Sequence, residues 1–307
     1  MKIIYLGTPD FAVLPLEEIV KNGYEVIAVV TQPDKPVGRK QILTPSPVKE
    51  TATNLGIKVL QYEKIRLEGV EDLKLLNPDL MVTCAYGQIL SQEILDIPKL
   101  GTINIHASLL PKLRGSSPIQ WSIINGDTET GITIMRTDIG VDTGDIILQE
   151  KVDILPDETG GELFDKLSVL GAKAIIKALD LFKNNQVNFT PQDHDKSTHT
   201  KMLKKESGKI DFSKSAKDVH NLVRGLNPWP VAYFSVNNEV IKVFKTEVVA
   251  GNYGAAGQII IDNKDLIITC GEGAIKIKEL QRAGGKRMET SAFLNGFKVE
   301  KGVKVDD

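Results

Sequence analysis

Asn104 and His106 stand two residues apart near the end of an apolar run, GTINIHASL (101–109), in a chain with only four histidines. Residues i and i+2 of a strand face the same way, so the amide and the imidazole would present together. Open α/β sheets place their sites at the carboxyl edge of the strands, and this pair would sit there. An amide donor beside a titratable ring can stabilise charge growing on a carbonyl oxygen and move a proton. A structural, hydrogen-bonded polar cluster explains the pair as well. The stretch continues as a proline-braced polar loop, Ser108-Leu109-Leu110-Pro111 and Arg114-Gly115-Ser116-Ser117-Pro118, before a helix expected over 119–125.

A second stretch, Asp138-Ile139-Gly140-Val141-Asp142-Thr143-Gly144-Asp145, puts three aspartates and two glycines between two expected strands. A carboxylate set against His106 would orient its ring and favour the protonated form. A tight connection built on Asx turns fits equally well. The EF-hand spacing is absent, and His194, His199 and His220 lack a Cys/His ligand pattern, so no metal is expected. His194 and His199 read as linker residues.

The elements that must carry these residues follow from periodicity. KIIYLG (2–7), EVIAVVTQ (25–32), IKVLQ (57–61), DLMVTCAYG (79–87) and GTINIHASL (101–109) are apolar strand candidates. Helical spacing lies between them, which predicts an open, doubly wound, mostly parallel α/β sheet. The first turn, Gly7-Thr8-Pro9-Asp10-Phe11, has proline where a dinucleotide loop needs its second glycine, so nothing points to NAD. ITIMR (132–136) and 145–154 read as later strands, and 159–183 as a long amphipathic helix. Residues 184–209 are polar and proline-marked and read as a linker, so the domains are taken as 1–188 and 209–307 with 189–208 between them. Five short strands from 231 to 280 then suggest a small β-barrel. Trp229, in Asn227-Pro228-Trp229-Pro230, reads as core or domain-contact material.

Composition sets the outer limits. Hydrophobic residues make up 41% and charged residues 25%, which is globular and excludes a disordered chain. The net charge of -2 hides a division: residues 1–200 carry -7 and residues 201–307 carry +5. A basic last part attracts polyanions whatever the total. Lys201, Lys204, Lys205, Arg282, Lys286 and Arg287 are phosphate-contact candidates there, with a solvated basic surface as the plain alternative. Two cysteines in separate apolar runs and no run near about 18 apolar residues predict a soluble, cytoplasmic protein.

GTPDFA (7–12), TQPDKPVGRK (31–40), PSPVK (45–49), AYGQIL (85–90), NIHASLLPKLRGSSPIQW (104–121), GVDTGDI (140–146) and NPWP (227–230) together carry a resemblance. On these motifs the chain resembles the tetrahydrofolate-dependent formyltransferases, and within them the methionyl-tRNA formyltransferase family. The resemblance implies transfer of a formyl group from 10-formyltetrahydrofolate to the amino group of methionine on initiator tRNA, through a tetrahedral intermediate and without a metal. It puts the catalytic roles on Asn104, His106 and Asp142. It assigns folate contacts to Tyr86, Gly87, Gln88, Ile89 and Leu90, to Ser108, Leu109, Leu110 and Pro111, and to Asp138, Ile139, Gly140 and Val141. It makes 33–47 a loop that enters the tRNA acceptor arm, with Lys35, Arg39 and Lys40 as its charges, and the last domain an oligonucleotide-binding-type barrel. A monomer with no membrane partner is expected. A formyltransferase acting on a sugar-nucleotide or ribonucleotide amine is the alternative, because the catalytic trio handles only the formyl group.

Overall fold

Ile3, Ile4, Tyr5 and Leu6 are fully buried, as are Leu80, Met81 and Val82. Strands apolar on both faces belong in the middle of a sheet covered on both sides. The computed structural model describes residues 1–38, 40–251, 253–296 and 303–305. They form two compact units, one of residues 1–115, 130–152 and 164–200, the other of 116–129, 153–163 and the chain from Lys201.

The elements of the first 115 residues are β1 (Lys2–Gly7), α1 (Val13–Lys21), β2 (Glu25–Thr31), β3 (Lys35–Val37), β4 (Ile42–Thr44), α2 (Pro47–Asn54), β5 (Val59–Gln61), α3 (Ile65–Glu68), α4 (Val70–Leu76), β6 (Leu80–Cys84), α5 (Gln92–Leu95), β7 (Thr102–His106) and β8 (Arg114–Gly115). After α6 (Pro118–Ile124) come β9 (Glu129–Arg136), β10 (Ile146–Asp153), α7 (Gly160–Lys183) and β11 (His199–Thr200). The main sheet has the order β10-β9-β7-β6-β1-β2-β5. Strands β7, β6, β1, β2 and β5 are mutually parallel, so their carboxyl ends share one edge. β9 runs antiparallel to β7, which pairs His106 with Thr133 and Asn104 with Met135. The sheet is therefore mixed at the edge that carries Asn104 and His106.

Two segments differ from their sequence reading. Residues 33–47 contain a hairpin of β3 and β4, with Gly38 at φ +72° permitting the reversal. The segment after α7 is not a free linker. Ile146 and Thr190 exchange backbone hydrogen bonds, β11 pairs in parallel with β8, and Gln192 is only 5% exposed. Most of its side chains are exposed, but Gln192 is buried with its polar atoms met by protein partners.

The second unit contains α8 (Ala216–Gly225), β12 (Ala232–Val236), β13 (Glu239–Val249), β14 (Ile259–Asp262), β15 (Asp265–Thr269), β16 (Ala274–Arg282), β17 (Met288–Glu289) and α9 (Thr290–Gly296). The sheet is antiparallel, in the order β12-β13-β16-β15-β14 with β17 on β16. Asn237 and Asn238 both take left-handed φ, the two-residue turn that matches the twist of hairpin strands. Val219 and Val223 of α8 share one core with Phe234, Ile241, Ile268 and Leu280. Trp229 is 54% exposed, which corrects its expected core role.

Candidate active site

β7 sets the geometry. Thr102, Asn104 and His106 alternate onto one face, spaced roughly 6–7 Å per pair along the strand. The Thr83 hydroxyl on neighbouring β6 donates to Asn104 Oδ1 at 2.8 Å. That leaves the amide Nδ2 as the donor turned to the site. His106 is 5% exposed, and its Nε2 lies 3.1 Å from the Leu113 carbonyl. A carbonyl only accepts, so Nε2 carries the hydrogen in this pairing. Nδ1 is 3.6 Å from Asp142 Oδ2, so a proton arriving at Nδ1 meets that carboxylate. Of the trio expected from the sequence, His106 and Asp142 stand against each other, and Asn104 shares a strand face with His106.

Asp142 reaches His106 from the turn between β9 and β10. Its φ is +54°, and its Oδ2 accepts from the Gly115 amide at 2.8 Å. Asp138 Oδ1 accepts from Gly140 N and from the Thr143 hydroxyl, an Asx turn that shapes the approach. Both local readings of this stretch hold together: it is a tight turn, and the turn aims a carboxylate at the histidine. Gly144 packs against β9 so closely that a Cβ there would lie 1.9 Å from the Arg136 carbonyl. Only glycine fits.

A cavity of about 550 Å³ opens among Leu95, Gly101, Thr102, Arg136, Thr137, Asp138, Thr143, Gly144, Asp145 and His194, with Gln92 and Asp96 at its lining; it lies toward the Thr102 end of β7, and Asn104, His106 and Asp142 do not line it. Thr102 Oγ1 and Thr137 Oγ1 are buried without a hydrogen-bond partner. Thr102 follows from the same alternation that pairs Asn104 with His106, whereas no local pattern marks Thr137 or His194. Of the residues the resemblance assigned to folate, Asp138 lines this cavity. Ile89, Ile139 and Val141 expose their aliphatic side chains at 72%, 66% and 60%. Others are committed elsewhere. The Gln88 side chain accepts from Ile65 N and donates to Tyr62 O, and Tyr86 and Leu90 pack in an apolar core. Gly87 bends the chain at φ +87°. The Ser108 hydroxyl donates to Lys112 O, Leu110 N donates to Thr133 Oγ1, and Leu109, Leu110 and Pro111 lie outside the cavity lining. Among the described residues, no group of three or more His, Cys, Asp or Glu is arranged to hold a metal ion.

The basic candidates divide. Arg282 makes a bidentate pair with Glu239 at 2.6 and 2.9 Å. Arg287 pairs with Glu279 and stacks over Phe244 at 4.5 Å from the ring centre. Lys201, Lys204, Lys205 and Lys286 are exposed, as are Lys35 and Lys40 beside the β3–β4 turn. Arg39 lies outside the described residues. His220 bonds Thr246 Oγ1 and faces Asp157, which gives it a structural place.

The formyl transferase family model matches residues 1–179, and that of the formyl transferase C-terminal domain matches 202–298. Methionyl-tRNA formyltransferase of Agathobacter rectalis is 48% identical over 305 residues, covering 98% of both chains. The enzyme of that name from Ruminiclostridium cellulolyticum is 48% identical over 312 residues and 99% of both chains. The chain belongs to the methionyl-tRNA formyltransferase family. Solved relatives lie further off. A sugar N-formyltransferase, WlaRD, determined with dTDP and 5-N-formyl-tetrahydrofolate, is 25% identical with a TM-score of 0.69, covering 92% of this chain and 97% of its own. An N-formyltransferase of Helicobacter canadensis, complexed with folinic acid and dTDP-3-aminofucose, gives the same identity and score over 90% of this chain and 98% of its own. The two-part architecture of this methionyl-tRNA formyltransferase family member is therefore shared with relatives solved with folate derivatives. Among the described residues, no helix is long and apolar enough to cross a membrane.

Proposed function

We propose that this chain transfers a formyl group from 10-formyltetrahydrofolate to the α-amino group of methionine carried by initiator tRNA. The observation that carries the reading is His106 set against Asp142, with Asn104 on the same strand face, in a chain 48% identical, end to end, to methionyl-tRNA formyltransferases. The folate supplies an activated formyl carbon. The amine attacks that carbon, and the bond to folate N10 breaks. Asn104 Nδ2 donates to the formyl oxygen as it gains negative charge, a contact whose loss costs roughly 3–4 kcal/mol at such sites. His106 Nδ1 takes the proton lost by the amine and passes it to the departing N10, while Asp142 holds the ring and steadies the imidazolium. The buried Thr102 and Thr137 hydroxyls offer unused hydrogen-bonding capacity to a flat polar heterocycle, and Ile89, Ile139 and Val141 offer apolar contact. Behind the sugar-nucleotide reading stand solved sugar N-formyltransferases at 18–25% identity, against 48% for the methionyl-tRNA formyltransferases.

The deciding experiment supplies labelled 10-formyltetrahydrofolate with methionyl-tRNA, free methionine and an amino-sugar nucleotide in parallel. Transfer to methionyl-tRNA alone is expected, and efficient transfer to the amino sugar overturns the reading. Thr102→Val tests the folate side with two opposed signs. Removing a buried unpaired hydroxyl should stabilise the ligand-free protein by about 1 kcal/mol. The same change should raise the KM for the folate several-fold, measured alongside the melting temperature.

The reading extends to tRNA phosphates at Lys35, Arg39, Lys40, Lys201, Lys204, Lys205, Arg282, Lys286 and Arg287, and to a cytoplasmic monomer. Both cysteines are buried and unpaired with each other, which suits a reducing compartment. Ion pairing ranks Arg282 and Arg287 below the lysines. Lys286→Ala should reduce the salt slope of tRNA affinity by somewhat under one unit. Arg282→Ala, whose guanidinium is already held by Glu239, should change it much less. Binding isotherms over a salt series check the order, and equal slopes would remove the distinction.

A further inference from the structure

The carboxylate of Asp142 is held by the Gly115 amide, but its backbone is held by a residue from the far end of the first unit. Gln192 follows α7 by nine residues and is buried to 5% exposure. Its Nε2 donates to the Asp142 carbonyl at 3.0 Å and to the Gly144 carbonyl at 2.7 Å. Its Oε1 accepts from Arg114 Nε at 3.1 Å and Nη2 at 2.7 Å. Arg114 is itself 3% exposed, and its Nη2 also lies 3.0 Å from His194 Nδ1. The amide therefore spends both donors on one turn and its acceptor on one guanidinium. Every atom of this bridge is used, and a neighbouring residue of Arg114, Gly115, holds the Asp142 side chain.

We propose that Gln192 is a positioning residue for formyl transfer: it locks the 142–144 turn to the Arg114–Gly115 strand, and so sets Asp142 against His106. The proposal rests on the reading that Asp142 supports His106 during transfer. Asp142 sits at φ +54°, a conformation that an aspartate keeps only when its surroundings hold it. The neighbouring Asx turn at Asp138 fixes residues 138–143 among themselves, but it does not tie them to β8. Gln192 and the Gly115 amide make that tie. The segment from Thr190 to Thr200 thus braces the turn that carries Asp142: Thr190 anchors it to β10, Gln192 reaches the turn, and β11 pairs with β8.

Two variants separate this role from plain stabilisation. Gln192→Ala removes the whole bridge. Gln192→Glu keeps an acceptor for Arg114 but replaces the donor to the two carbonyls. Turnover of both should fall roughly 10–100-fold, because a shift of about 1 Å in a catalytic group costs that order. The KM for methionyl-tRNA should stay within about two-fold, since no tRNA contact is involved. In an Asp142→Ala background, Gln192→Ala should add nothing, because its effect runs through the missing carboxylate. Hydrogen exchange of the Gly115 amide gives a readout independent of activity. Its protection should drop in Asp142→Ala and in both Gln192 variants, while the Arg114 amide, bonded to the Thr198 carbonyl, keeps its own. Wild-type turnover in Gln192→Glu overturns the proposal, as do additive effects in the double variant or equal loss of protection at Arg114 and Gly115. If Asp142→Ala keeps full turnover, the role of Asp142 fails and takes the proposal with it. If the wild-type protein transfers no formyl group, the functional reading fails, and unchanged Gly115 protection in the Gln192 variants still decides against the bridge.

Discussion

Replacing His106 by alanine is expected to lower turnover by about 10²–10⁴, with the folded structure retained. The imidazole can both take the amine proton and return it to the leaving nitrogen, and its Nδ1 is the atom set toward Asp142 at 3.6 Å. Asn104→Ala should cost about 10²–10³, because the amide acts on charge that exists only during transfer. Asn104 is the central, partly buried residue of β7 and His106 its last, and the side-chain bonds the fold would miss are those to Thr83 and to the Leu113 carbonyl. The check is kcat with saturating methionyl-tRNA and folate, beside a thermal melt. A well-folded His106→Ala protein with wild-type turnover would falsify the assignment of the site.

Asp142→Asn should reduce turnover by roughly 10–10² while leaving the turn in place. The amide oxygen of asparagine can still accept from Gly115 N, so the backbone around residue 142 has little reason to move. What it loses is the negative charge beside Nδ1, and with it the partner of the imidazolium formed during proton transfer. Asp142→Ala should be worse, because the Gly115 amide also loses its acceptor, an unmet donor worth about 1–3 kcal/mol when buried. The two variants therefore rank: alanine below asparagine in both turnover and Gly115 amide protection. Equal turnover in wild type and Asp142→Asn would make residue 142 a turn former alone.

The strands were legible because a buried strand is apolar along its length, and β1, β2, β6 and β7 lie where the apolar runs predict them. The alternation within β7 by itself places Asn104 and His106 on one face, and it contains Thr102 as the next residue of that face. The motifs shared with the formyltransferase family supplied the remaining catalytic residue. That Asp142 stands against His106 is a contact between a strand end and a turn distant in sequence, and it required the antiparallel β9 to bring the chain back beside β7. The reversal of β9, the hairpin at 35–44 and the pairing of Arg282 and Arg287 with glutamates leave no period in the sequence, because each is a choice among partners distant along the chain.

The segment 184–200 shows the limit most plainly. Its residues are polar, and polarity alone predicts solvent, since burying an unpaired amide or guanidinium is costly. Gln192 and Arg114, 78 residues apart, remove that cost for each other, and the carbonyls of Asp142 and Gly144 complete the bridge. The sequence by itself determined which residues could do the chemistry and which strand would present two of them. The tertiary structure alone decided what holds the third in place, because a buried hydrogen-bond network is stable only when all of its members meet, and no one of them carries a local signal of the others.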